Sequence, residues 1–300
     1  MTDLNALLKI SLDELRMQML GTQVAFGFQF QSLFQQRFDV DDEMIRAAAL
    51  SGLVALVLTL GLLIAAPAVH RISDGGRIYG RTRDLISTLA RLALTTLAVG
   101  LACAMFVTVT TQSGRRVGTL AAALTAVIGV VAWQFWGMFL RRTERRLPRS
   151  KAMHPGAHAS LHERIDYVLT ESRVMLPGAQ ALLGFQLIVP LTRSFEMLPD
   201  VAQAIHFVAL IFIALAVVLL ISPAAVHRIA FRGGDDERFL RLASRIVTSA
   251  LIPLALGIAS ELYVAVARLL PETHAAAWIA VAAACVLFGL WYALPLALRA

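Results

Sequence analysis

The sequence predicts an all-α integral membrane protein of eight transmembrane helices, arranged as two four-helix repeats, and three observations predict it. Apolar runs of about 20 residues, the length that crosses a bilayer as a helix, recur along the whole chain. Hydrophobic residues make up 58% of it and the mean hydropathy is +0.71, outside the range of a soluble domain. The third observation is an internal repeat: Leu12–Phe38 is written a second time as Leu169–Phe195.

At one offset of 157 residues, Glu14 falls on Glu171, Arg16 on Arg173, Gly21 on Gly178 and Gln23 on Gln180. Gly27-Phe28-Gln29 falls on Gly184-Phe185-Gln186, His70-Arg71 on His227-Arg228, and Gly100 on Gly257. A repeat on this scale governs the fold. At roughly 100° per residue, Glu14, Gly21 and Phe28 share one stripe of a helix. Arg16, Gln23 and Gly27 share another on nearly the opposite side, and the second copy repeats both. Lipid selects neither glycine nor glutamine, whereas helix contacts in membranes favour both. Each copy is therefore expected to be packed by protein on two sides. Gln23, Gln29, Gln180 and Gln186 then either fill that packing or line a polar pathway.

In chain order, the first span is expected near Met17–Gln35, followed by an acidic loop through Asp39, Asp41 and Asp42. The second, Ala47–Val69, ends at Pro67 and His70-Arg71, and an arginine-rich loop follows with the turn signal Gly75-Gly76. The third is Leu85–Thr111 and the fourth Thr119–Leu140. Residues 1–142 thus form the first repeat, 143–166 a basic linker and 167–300 the second repeat. Its spans lie near Val174–Thr192, Val201–Val226, Leu240–Val266 and Ala275–Leu298, with Gly233-Gly234 echoing Gly75-Gly76.

Basic residues orient the chain. With the N-terminus in the cytoplasm, 21 of the 27 Lys and Arg lie on the inner side, the bias that sets topology. Both termini are then cytoplasmic. Four spans per repeat make the repeats enter from the same side, with a pseudo-twofold axis along the membrane normal. The net charge of +7 belongs to this flanking pattern, so nucleic acid is not an expected partner. The polar start, with Asp3, Lys9 and Asp13, lacks the pattern of a cleaved signal peptide. Cys103 and Cys285 lie in apolar spans of different repeats, so buried thiols are expected and no disulfide.

The run ESRVMLPGAQALLGFQL at Glu171–Leu187, followed by SPAAVHRIAFR and FGLWYALPL, resembles a family of short bacterial membrane proteins classed as a domain of unknown function. Its typical member has one four-helix unit after a polar tail. The chain looks like a tandem duplication of that unit, with residues 164–300 the closer copy. The resemblance implies the bacterial inner membrane, and by analogy that single units pair. It implies no activity, ligand or catalytic residue.

Among polar groups, Glu261 lies inside an apolar span, where an ionisable side chain costs on the order of 3 kcal/mol. His206 lies at similar depth. Their counterparts are Ala104 and Ala49, so both are private to the second repeat and form the candidate polar site: a functional centre handling protons or cations, a structural hydrogen-bonded pair, or a carboxylate at Glu261 that reaches a water-filled cleft. The repeat-matched Glu14, Arg16, Glu171, Arg173, His70, Arg71, His227 and Arg228 are expected near the membrane interface. His154, His158 and His162 have helical spacing, but Pro155-Gly156 interrupts it and no cysteine accompanies them, so no metal is expected. Trp133, Trp136 and Trp291 read as aromatic-belt residues. No catalytic constellation appears and no cofactor is expected. The leading expectation is a non-enzymatic accessory, scaffold or interaction protein whose partners are the bilayer and a membrane protein or itself. The alternative is a small channel or transporter running along the glutamines and Glu261.

Overall fold

The structure is a computed structural model that describes residues 2–36, 38, 41–72, 80–131, 133, 160–270 and 273–299. Every regular element among them is helical. We label the long helices α1 (Thr2–Ser32), α2 (Glu43–Ile72), α3 (Gly80–Ser113), α4 (Arg115–Val130), α5 (Leu161–Ile188), α6 (Asp200–Ile229), α7 (Glu237–Leu269) and α8 (Thr273–Phe288). A π turn, Gly289–Ala293, carries α8 into Leu294–Arg299. Six helices are long and apolar enough to cross a membrane: α2, α3, α5, α6, α7 and α8. α1 is 31 residues long, but Gln18, Gln23, Gln29 and Gln31 dilute its apolar stretch. α4 is described over 16 residues.

The helices begin and end where local chemistry dictates. Asp42 accepts hydrogen bonds from the amides of Met44 (2.9 Å) and Ile45 (3.2 Å), capping α2. Ser160 and Glu163 form a reciprocal capping box at α5, so α5 starts inside the segment expected to be linker. Most of that linker, with His154 and His158, lies outside the described residues, as does Gly75-Gly76. Gly114 (φ 85°) makes the α3–α4 turn, and Gly233 (φ 76°) helps make the α6–α7 turn.

Two polar contacts fix which ends meet. Arg115 donates to Asp42 at 2.8 Å, bringing the α1–α2 and α3–α4 turns to one end. His162 bonds Asp235 at 3.0 Å, joining the start of α5 to the α6–α7 turn. The repeat itself is visible in packing. In the first copy Gly100 of α3 faces Leu56 and the Gly52 carbonyl of α2; in the second Gly257 of α7 faces Ile213 and the Ala209 carbonyl of α6. All three pairs of positions keep the 157 offset.

Between the repeats the contacts are head-to-tail, which corrects the expected pseudo-twofold axis. Gln23 of α1 covers Gly178 of α5, and the Phe185 ring of α5 covers Gly27 of α1. Phe28 meets Phe185 at 4.3 Å and Phe34 meets Phe195 at 6.5 Å between ring centroids. Partners ascend together, so α1 and α5 run side by side in the same direction. A twofold would also place Gln180 over Gly21 and Phe28 over Gly184. Instead Gln180 is exposed, and a Cβ at Gly21 or Gly184 would meet nothing. The same holds outward from this pair. α2 packs on α7 and α8 of the other repeat, and the apolar stretches of α2 and α7 are 61% and 72% buried. Their counterparts α6 and α3 are 33% and 28% buried. The expectation that both glutamine helices are wrapped by protein on two sides fails for the same reason: each keeps one stripe exposed.

α8 closes this contact. The π turn swings Trp291 inward, where it is fully buried and its indole N–H donates to the Gly61 carbonyl of α2 at 2.9 Å. The belt position expected for Trp291 is therefore wrong: a π turn rotates the side chains beyond it away from the α-helical register. Cys285 is exposed rather than buried, and both cysteines are free.

Replacing Trp291 by Ala should lower stability by about 3–5 kcal/mol, and by Phe by less. Both are read as thermal midpoints in detergent, and a silent Trp291→Ala would show that the clasp joins nothing. The Arg115 hydrogen bond, helped by the α2 amides, holds the Asp42 carboxyl below its ordinary value. A depressed folded pKa stabilises above the unfolded value, and that stability is lost as pH falls through the folded one. Asp42→Asn should therefore lower the midpoint at neutral pH, and the gap to the parent should close only below about pH 4.

Candidate functional site: a buried carboxylate–imidazole brace

Glu261 on α7 and His206 on α6 are both fully buried, and the imidazole Nδ1 stands 3.1 Å from Glu261 Oε2. The other ring nitrogen, Nε2, is 3.2 Å from the Gln186 carbonyl of α5. A carbonyl only accepts, so Nε2 must carry a hydrogen and donate. One further proton then lies between Nδ1 and Oε2, and the pair is neutral as a unit wherever that proton sits. A buried ion pair survives only when its geometry and remaining hydrogen bonds are good, and here one imidazole ties three helices together. Aromatic rings enclose it. Phe30 of α1 lies parallel to it at 6.2 Å, and Phe195 meets it edge-on at 5.1 Å.

The first repeat solves the same problem with other atoms. There the Gln29 side-chain amide donates to the Ala49 carbonyl at 3.0 Å, joining α1 to α2. Positions 29 and 49 are the counterparts of 186 and 206. The tie between the first two helices of each repeat is thus kept, while its donor moves from the first helix to the second. Glu261 follows from that exchange, because the imidazole has a second nitrogen that needs a partner. In the first repeat α2 and α3 are joined by Thr59 and Thr96 hydroxyls 2.7 Å apart.

Of the glutamines, Gln23, Gln29 and Gln186 are buried and Gln180 is exposed. The amides of Gln23 and Gln186 and the second oxygen of Glu261 have no hydrogen-bond partner among the described residues. Glu171 is buried, whereas Arg173 and Arg228 are exposed. His227 is half-buried in the last turn of α6, with its ring 4.5 Å from that of Phe239 on α7. The side chains of Glu14, Arg16, His70 and Arg71 lie outside the described set.

Sequence reasoning missed one concavity. A cleft of about 390 Å³ opens at the paired ends of α1 and α3, lined by neutral Ser32, Gln35, Gln36, Thr108, Thr111 and Gln112. In the second repeat Val189, Ala265 and Leu269 hold three of these positions and are buried. The run of hydroxyl and amide residues at two helix ends was the available signal.

If the brace is a unit, Glu261→Ala should cost about 3–5 kcal/mol by leaving the imidazole unpaired, and Glu261→Gln less. The double change Glu261→Ala/His206→Ala, which restores the residues of the first repeat, should recover part of that loss. Additive single effects in a thermal-melt cycle would show the two residues uncoupled.

No curated protein and no solved structure matches the chain. One family profile matches twice, over residues 6–137 and again over 158–295, once across each repeat. Its members carry no assigned activity, so the match bears on architecture and leaves function to the site. The chain belongs to this family of unknown function, DUF6328, as a tandem duplication of its domain.

Proposed function

We propose that this is a non-enzymatic membrane protein, an accessory, scaffold or interaction protein of the bacterial inner membrane. In this reading the bundle has eight spans in two repeats of the same orientation, with both termini cytoplasmic. α1 and α4 complete the six more apolar helices. The parallel run of α1 and α5 supports a shared orientation, and the basic residues support the inner side. Its partners are lipid and other membrane-protein surfaces.

One observation carries the reading. Of the polar groups that a pathway would need, Gln23, Gln29, Gln186 and Glu261 are buried and Gln180 alone faces outward. The buried ones with partners are spent on helix-to-helix ties, Gln29 to α2 and Glu261 to His206, which in turn bonds α5. Gln23 serves as packing over Gly178. The competing reading, a channel or transporter along the same residues, draws on the unpartnered amides of Gln23 and Gln186. Flux separates the two. Reconstituted into liposomes, the protein should move H⁺, Na⁺, K⁺ and Cl⁻ no faster than empty vesicles do. A protein-dependent flux that Glu261→Gln abolishes would replace the scaffold with a transporter.

A further inference from the structure

We infer that the chain assembles head-to-tail with further copies of itself in the membrane, through the second half of the contact that joins its own repeats. This names the partner that the interaction-protein reading leaves open.

Each repeat has two surfaces. The first repeat uses one of them, and the second repeat uses the other. On α1 and the turn that follows it, Gln23, Gly27, Phe30 and Phe34 face the second repeat and are buried. Their counterparts on α5 and the short 3-10 turn after it are Gln180, Gly184, Leu187 and Leu191, and all four are exposed, Leu187 to 55% and Leu191 to 83%. The opposite stripe shows the reverse. Val174 and Gly178 of α5 are buried, Gly178 beneath Gln23 of the first repeat, while their counterparts Met17 (78% exposed) and Gly21 are open.

The outer helices follow the same rule. On α2, Gly61 receives Trp291 and Ile64 is buried; their α6 counterparts Val218 and Ile221 are 59% and 42% exposed. Leu287 of α8 and Leu262 of α7 are buried, whereas Val130 of α4 and Met105 of α3 are 47% and 40% exposed. The free surfaces of one chain are therefore the repeat-mates of the two that already fit each other. Gln180 can cover Gly21 of a second copy as Gln23 covers Gly178. Phe28 of that copy can cover Gly184 as Phe185 covers Gly27.

Lipid is the other candidate occupant, and Gln180 argues against it. It is an amide part-way along an apolar helix, exposed where hydrocarbon supplies no hydrogen-bond partner, beside a glycine that leaves its surface open. Helix association in membranes uses this combination of small and polar residues. A head-to-tail contact propagates as a ring where its rotation closes and as an open row of copies where it does not.

Cross-linking tests the inference directly. In a Cys103→Ala/Cys285→Ala background, Gly21→Cys and Gln180→Cys are placed on separately tagged copies and treated in membranes with a short bismaleimide. The mixed product should form when the two are co-expressed, and neither single variant should link to itself. Self-products of one variant would show a like-to-like interface, and no product would leave these faces to lipid; either overturns the inference. Gly184→Trp gives a second readout, because nothing stands within 4 Å of a Cβ there and the single chain can accept the ring. Native mass spectrometry in mild detergent should then show the multi-chain assembly of the parent reduced to one chain, with helicity unchanged. An unchanged assembly would overturn the inference as well. Flux through such an assembly would refute the scaffold reading and leave this one standing.

Discussion

A hydrogen-bonding side chain inside an apolar span has no water to turn to, so it must end on another helix or stay unsatisfied at a cost. The arrangement of this bundle depends on where those few side chains end. Gln29 ends on α2, His206 on α5 and Trp291 on α2 of the other repeat. Apolar packing between helices is nearly matched by packing against lipid, so it can make a contact close without making it unique. The directed hydrogen bonds select the register, and the glycines let the backbones approach near enough for them to form.

Duplication lets the same chemistry be compared with itself. The Gly100 and Gly257 contacts kept both geometry and residue type, because a close helix crossing tolerates no Cβ. The tie between the first two helices kept its position and changed its donor, because a carbonyl accepts equally well from an amide or an imidazole. Moving the donor onto a histidine has one consequence: the ring presents a second nitrogen in a place where it needs a partner, and Glu261 fills that need. Read this way, the buried carboxylate completes a brace. It requires no substrate to explain its presence.

Much of this was legible in the sequence, and what was not legible has a physical reason. The offset announced the duplicated packing, and the asymmetry of Glu261 and His206 against Ala104 and Ala49 singled them out as a candidate polar site, while their contact at 3.1 Å needed the geometry. Two stripes on α1 and α5 were legible as contact surfaces, but a stripe names a face and not its occupant. Two identical copies can meet face to like face or head to tail with the same residues, and only the second is seen here. Trp291 was misread because a π turn leaves no periodic trace in so apolar a segment. The cleft between α1 and α3 needed both helix ends placed before its hydroxyls and amides could be recognised as sharing a space.

The head-to-tail relation also accounts for the unequal character of the two copies. Under a twofold, every interface position would occur in both repeats and would be constrained twice. Here each half meets the other with a different surface, so the two are free to diverge wherever only one is used. Gly61 has to stay small to admit Trp291 of α8, while its counterpart Val218 does not. Met17 and Val174, or Leu262 and Met105, differ in the same way: the member inside the contact fits its neighbours, and its mate faces outward. Gln180 breaks that pattern. It faces outward yet keeps the polar identity of its buried mate Gln23, which lipid contact alone gives no reason to keep, and that retention is what points beyond a single chain.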